Sequence, residues 1–195
     1  MSEKISRQQA LNLLKKYNKD PYHIRHGLNV EAVMRYFANI LGFEKESDFW
    51  GMVGLLHDID YEMWPDEHCK KAVSLLKDAN FSDKFIHAVV CHSYNISSDV
   101  KPACKMEKIL YTIDELTGII NAARLVRPDK SYKDMKLKSL KKKFKSEKFA
   151  QACNREVIKN GAESLGVDLD WILSNTLEAF KLSEEKIDKE METMI

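Results

Sequence analysis

An apolar run over residues 49–56 ends abruptly in His57-Asp58, and Asp60 follows two residues later. The run, Phe-Trp-Gly-Met-Val-Gly-Leu-Leu, reads as a helix buried on most of its faces. A carboxylate at the inner end of such a helix is costly unless it is paired or bound to a cation. A neutral imidazole beside it makes the pair natural ligands for a divalent ion. The chain can bury this stretch only if it supplies further ligands from elsewhere.

The rest of the chain reads as helix after helix. Seven glycines and four prolines in 195 residues leave little material for the tight turns of a many-stranded sheet. Ser6-x-x-Gln9 forms a capping box that opens a helix reaching Tyr17, and Asp20-Pro21 ends it. A second helix over 22–41 carries the stripe Val30, Val33, Phe37, Leu41, with His26 one turn before Val30 and Gly42 at its C-terminal stop. Ser47 is placed to cap the third helix. Pro65 opens a fourth, on which His68, Ala72 and Leu75 share a face. Ser82 caps a fifth, whose face Phe85, Ile86, Val89, Val90 is bordered by His92, while His87 points away. A sixth over 106–123 buries Ile109, Leu110, Ile113, Leu116 and Ile120, with Asp114 in its middle. Beyond Arg127-Pro128 come a basic helix with the stripe Leu137, Leu140, Phe144, a helix over 146–165 stopped by Gly166, and one capped by Asp168 and running through Phe180. The expectation is an all-α, single-domain helical bundle over 1–182, with a charged helical tail over 183–195.

Six side chains stand out from these apolar faces: His26, His57, Asp58, His68, His92 and Asp114. Histidine and carboxylate donors brought together in a helix bundle suit borderline divalent metals such as Fe, Mn, Co, Ni or Zn. The order His26, Leu56-His57-Asp58, Asp114 resembles the HD domain, a superfamily of metal-dependent phosphohydrolases. His68 and His92 resemble the extra histidines of its two-metal branch, although His92-Ser93 stands where HD-GYP enzymes often have paired histidines. The likeness extends over about residues 20–180 to a group of small bacterial HD/HDIG-type hydrolases. It is carried by Leu55-Leu56-His57-Asp58-Ile59-Asp60-Tyr61-Glu62, Asp114-Glu115-Leu116-Thr117-Gly118, Leu125-Val126-Arg127-Pro128 and Lys141-Lys142-Lys143-Phe144-Lys145.

The resemblance implies an HD domain with a C-terminal helical extension. It places His26, His57, Asp58 and Asp114 on a first ion, and His68 and His92 on a second that Asp58 can bridge to, giving one or two ions per chain. It makes His57 and Asp58 catalytic, through a metal-activated water that cleaves a phosphate ester of a nucleotide or other small phosphorylated metabolite. Two rivals share the fold: a di-iron oxygenase and a non-catalytic nucleotide-sensing module. Asp60 suits either a hydrogen bond to a ligand imidazole or a role in its own loop.

Net charge is +1, and no aromatic array accompanies the basic helix, so nucleic acid is not an expected partner. Arg127, Lys141 and Lys142 are the candidates for holding a substrate phosphate; the alternative is a solvated helix face. No apolar run approaches a membrane span, the N-terminus is polar, and four scattered cysteines lack a CxxC pair. The expected setting is the cytoplasm, with reduced thiols.

Overall fold

The computed structural model describes residues 5–194, and among these the chain forms nine α-helices and three short 3-10 turns. In order the helices are α1 (Arg7–Tyr17), α2 (Pro21–Ile40), α3 (Ser47–Leu56), α4 (Lys70–Asp78), α5 (Asp83–Val90), α6 (Lys105–Leu125), α7 (Leu137–Lys145), α8 (Arg155–Leu165) and α9 (Leu169–Glu192). No helix among the described residues is long and apolar enough to cross a membrane. The all-α expectation holds.

Local chemistry explains most of the boundaries. Ser6 and Gln9 form the expected capping box on α1. Asp20 caps α2 by accepting from Tyr22 N at 2.8 Å, so Asp20-Pro21 starts this helix as well as ending the one before. Gly42 (φ +81°) and Gly166 (φ +69°) take the left-handed conformation that stops α2 and α8. Ser82 caps α5 as expected, accepting from Phe85 N at 3.2 Å.

α2 is the central helix and packs against α3, α6 and α9. Its approach to α3 depends on two glycines. A Cβ on Gly54 would lie 2.9 Å from the Val30 carbonyl oxygen, and one on Gly27 would lie 2.9 Å from that of Leu55. Both helices therefore run nearly backbone to backbone, and this brings His26 of α2 over the C-terminal end of α3. α6 lies against α2 on the other side, and α8 covers α6.

Three expectations need correction. Ser47 does not cap α3: a 3-10 turn over Glu44–Glu46 leads in and Ser47 is the first helical residue. His68 is not on α4. The chain makes a 3-10 turn over Pro65–Glu67, His68 is extended (ψ 139°) and Cys69 has φ +67°, so the helix begins only at Lys70. The helix expected over 146–165 begins at Arg155. Its guanidinium donates to the carbonyls of Phe144, Ser146, Phe149, Ala150 and Cys153 and gathers the preceding segment into turns. The charged tail expected as helical over 183–195 is helical through Glu192, as the last turns of α9, and Ile187 and Met191 are buried there.

Candidate metal centre

The six singled-out side chains converge, each from a different element apart from the neighbours His57 and Asp58. His26 comes from the second turn of α2, His57 and Asp58 from the end of α3, and His68 from the extended residue before α4. His92 comes from the 3-10 turn Cys91–Ser93 after α5, and Asp114 from the middle of α6.

They form two sets. His26 Nε2 lies 3.1 Å from His57 Nε2, and both lie close to Asp114 Oδ1, at 3.0 and 3.1 Å. On the other side, His68 Nε2 lies 3.2 Å from His92 Nε2. Asp58 stands between the sets. Its Oδ2 is 3.6 Å from His26 Nε2 and 3.4 Å from His57 Nε2, while its Oδ1 is 3.5 Å from His68 and 3.4 Å from His92.

The hydrogen bonds on the far side of each ring decide what faces inward. His57 Nδ1–H donates to Gly54 O at 2.7 Å, and His92 Nδ1–H to Val89 O at 2.6 Å. His68 Nδ1–H donates to Asp60 Oδ1 at 2.9 Å. Thr117 gives its hydroxyl proton to Asp114 O and so can only accept from His26 Nδ1, at 3.4 Å. Each ring thus spends its proton outward and turns a bare Nε2 lone pair inward. Two lone pairs about 3 Å apart repel, and beside carboxylates the repulsion grows. A cation between them turns this arrangement into ligation, and the outward bonds are the second layer that orients metal-binding histidines. The donor set therefore fits divalent metal.

Without an ion, the carboxylates draw protons to the same inward Nε2 atoms, so protons and metal compete for them. Burial opposes a charge on His57, but Asp58 and Asp114 outweigh it and raise the imidazole pKa well above its ordinary value. Burial would raise Asp58 and Asp114, yet the surrounding histidines hold both far below the carboxylate range. His68, despite burial, is pushed up to about 10 by its bond to Asp60 and by Cys69 and Asp58. The centre thus carries a negative potential that attracts positive charge.

Asp60 fills both roles open to it. One oxygen holds His68 and the other accepts from Ala72 N at 2.7 Å, in the first turn of α4. This double hold breaks the expected helix at His68 and turns the imidazole inward.

A cavity of about 330 Å³ opens over the centre. Its walls include residues not singled out in the sequence: Tyr22, Tyr61, Ile96, Glu115 and Cys153. Glu115 accepts from Asn154 N at 2.9 Å, and burial and the adjacent Asp114 push it up to about 7. His23 also reaches the wall, with Nδ1 2.9 Å from Glu62 Oε2. Cys69 lies within reach of the His68–His92 pair, brought there by the break before α4.

The three residues expected to hold a phosphate are elsewhere. Arg127 is not in the cavity wall; its guanidinium forks onto Asp129 at 2.9 and 2.6 Å. Lys141 reaches Asp170 at 2.6 Å, and Lys141 and Lys142 line a separate groove on the outside of α7. Local acids and solvent satisfy these cations. His87 stays out of the centre, as expected, and pairs with Glu107 at 2.9 Å. His87, Cys91 and Glu107 form a further cluster, but there Glu107 also accepts from Ala103 N and Cys104 N, and Cys91 donates to Ala88 O.

The HD domain family model matches residues 24–119, a span that includes all six converging side chains. No curated protein and no solved structure gives a significant match to the chain. The chain carries an HD domain over residues 24–119 and so belongs to the HD-domain superfamily.

Proposed function

We propose that this protein is a metal-dependent phosphohydrolase that cleaves the phosphate ester of a nucleotide or other small phosphorylated metabolite. The observation that carries the reading is the placement of Asp58, whose two oxygens face two separate sets of inward Nε2 lone pairs. His26, His57, Asp58 and Asp114 would hold one divalent ion, and His68, His92 and Asp58 a second. Such ions supply a water of lowered pKa and positive charge for the phosphoryl oxygens.

The chain's own residues do the rest. The carbonyls of Gly54 and Val89 and the Asp60 carboxylate fix ring orientation, so that little reorganisation is needed when charge develops. A cavity of about 330 Å³ suits a small substrate.

The test is metal content and phosphate release on protein purified without chelator and reconstituted with Mn, Fe, Co, Ni or Zn. Phosphate release that needs the ion, and the loss of both ion and rate in Asp58→Ala, are expected. His87→Ala should keep its ions. Iron in both sets with oxygen consumed and no phosphate released would overturn the hydrolase in favour of an oxygenase.

A further inference from the structure

The cavity over the centre is selective in a way the six ligands do not explain. Among the described residues lining it there is no lysine or arginine, whereas Asp58, Asp114 and Glu115 are all present. The groove that continues past Ile96 and Ser97 adds one cation, Lys70, together with Asp66 and Asp99. Away from the ions, the cavity wall offers an anion only His23, and Glu62 already holds its Nδ1 at 2.9 Å.

The mouth has the opposite character. Tyr22, Tyr61 and Ile96 are 48%, 46% and 55% exposed, and they are three of the eight most exposed large hydrophobic side chains among the described residues. All three line this cavity. Exposed apolar side chains gathered at one opening mark a contact surface. The aromatic part is held in place before any ligand arrives. His23 stands edge-on between Tyr22 and Tyr61 at centroid distances of 5.7 and 5.8 Å, and Glu62 holds its Nδ1. Tyr61 in turn packs edge-on against His68 at 5.2 Å. A planar or apolar group leaving the centre meets this rim without ordering it first.

Resting on the phosphohydrolase reading, we infer that the substrate is a phosphomonoester whose organic part has a planar or apolar face and carries no second anionic group. Single phosphates on an aromatic or apolar scaffold fit. Di- and triphosphates, and phosphates bearing a carboxylate, do not, because the added charge would enter a wall without lysine or arginine, beside the carboxyl groups of Asp114 and Glu115.

The experiment is calorimetric binding to the full-length, manganese-loaded protein with three non-hydrolysable probes: methylphosphonate, phenylphosphonate and para-carboxyphenylphosphonate. Phenylphosphonate should bind about ten-fold tighter than methylphosphonate, from ring contact with the rim. The para-carboxylate should lose about ten-fold or more of that affinity. Tyr22→Ala and Ile96→Ser should each shrink the phenyl-to-methyl ratio. Phenylphosphonate binding no tighter than methylphosphonate, or a para-carboxylate binding as tightly as phenylphosphonate, overturns this inference while leaving the phosphohydrolase reading in place. Failure of methylphosphonate itself to bind the loaded protein overturns that reading, and this inference with it.

Discussion

At the scale of single residues, the centre depends on where each proton goes. Asp60 shows this most clearly because it is fully buried and both of its oxygens are used, one by His68 Nδ1 and one by Ala72 N. Removing it leaves a buried N–H without a partner and lets His68 turn. Asp60→Ala is expected to cost about 1–3 kcal/mol of stability. It should also weaken the His68–His92 ion about 10–100-fold, as lost second-layer bonds do, while the His26–His57 set keeps its ion. Urea unfolding and metal per chain read the two effects separately; equal loss from both sets would show that Asp60 supports the whole centre. The six converging side chains were legible as polar residues on, beside or at the inner end of apolar runs, which periodicity exposes. Cys69 and Glu115 were not. Cys69 reaches the centre only through the backbone break at Cys69 itself, and Glu115 only because α8 and its preceding loop close over it. The misplaced trio Arg127, Lys141 and Lys142 shows the converse. A run of cations reads as a phosphate site until the partners Asp129 and Asp170 come into view.

At the scale of elements, helix cores were legible and their ends less so. Stripes of apolar residues located α2, α5 and α6 closely, because they depend on residues three and four apart. The start of α8 does carry a local signal, the Asn154 cap that accepts from Glu156 N at 3.0 Å and Val157 N at 3.3 Å, whereas the start of α4 depends on Asp60 and has none. The start of α6 shows the same principle in a testable form. Glu107 accepts from Ala103 N at 2.7 Å, Cys104 N at 3.2 Å and His87 of α5 at 2.9 Å, and so ties two helices together. Burial would raise its pKa, but these three donors hold it below its ordinary 4.5. The unfolded chain therefore takes up the proton at a higher pH than the folded one. The stabilisation is present above the ordinary value and is lost as pH falls through the lowered folded-state value. Glu107→Ala should destabilise by about 1–3 kcal/mol near neutrality, and the difference from the unaltered chain should narrow below about pH 4.5. A difference constant from neutrality down to pH 3 would mean the carboxylate's charge has no part in it.

At the scale of the whole molecule, the last turns of α9 hold together α2 and α6, which carry His26 and Asp114 of the first set. Arg25 of α2 and Arg124 of α6 both pair with Asp188, and Arg124 also approaches Glu184 at 3.5 Å. Arg7 of α1 joins Glu31 of α2 to Glu190 at 2.7 and 2.8 Å. Arg25 is the neighbour of His26, so this clamp sits next to a candidate ligand. The tail's helicity was legible but these pairings were not, because the partners lie far apart in the chain and charge alternation alone reads as solvated. Deleting residues 183–195 removes the buried Ile187 and Met191, takes the acids from Arg25 and Arg124, and leaves Arg7 with Glu31 alone. Burial at roughly 1.5–3 kcal/mol per side chain puts the loss of stability at roughly 3–6 kcal/mol. Chelator competition on the truncated chain should strip the ion of His26 and Asp114 before that of His68 and His92, whose ring orientation is fixed within residues 60–92. A truncated chain with an unchanged urea midpoint would show instead that the bundle around α2 and α6 closes without α9's final turns.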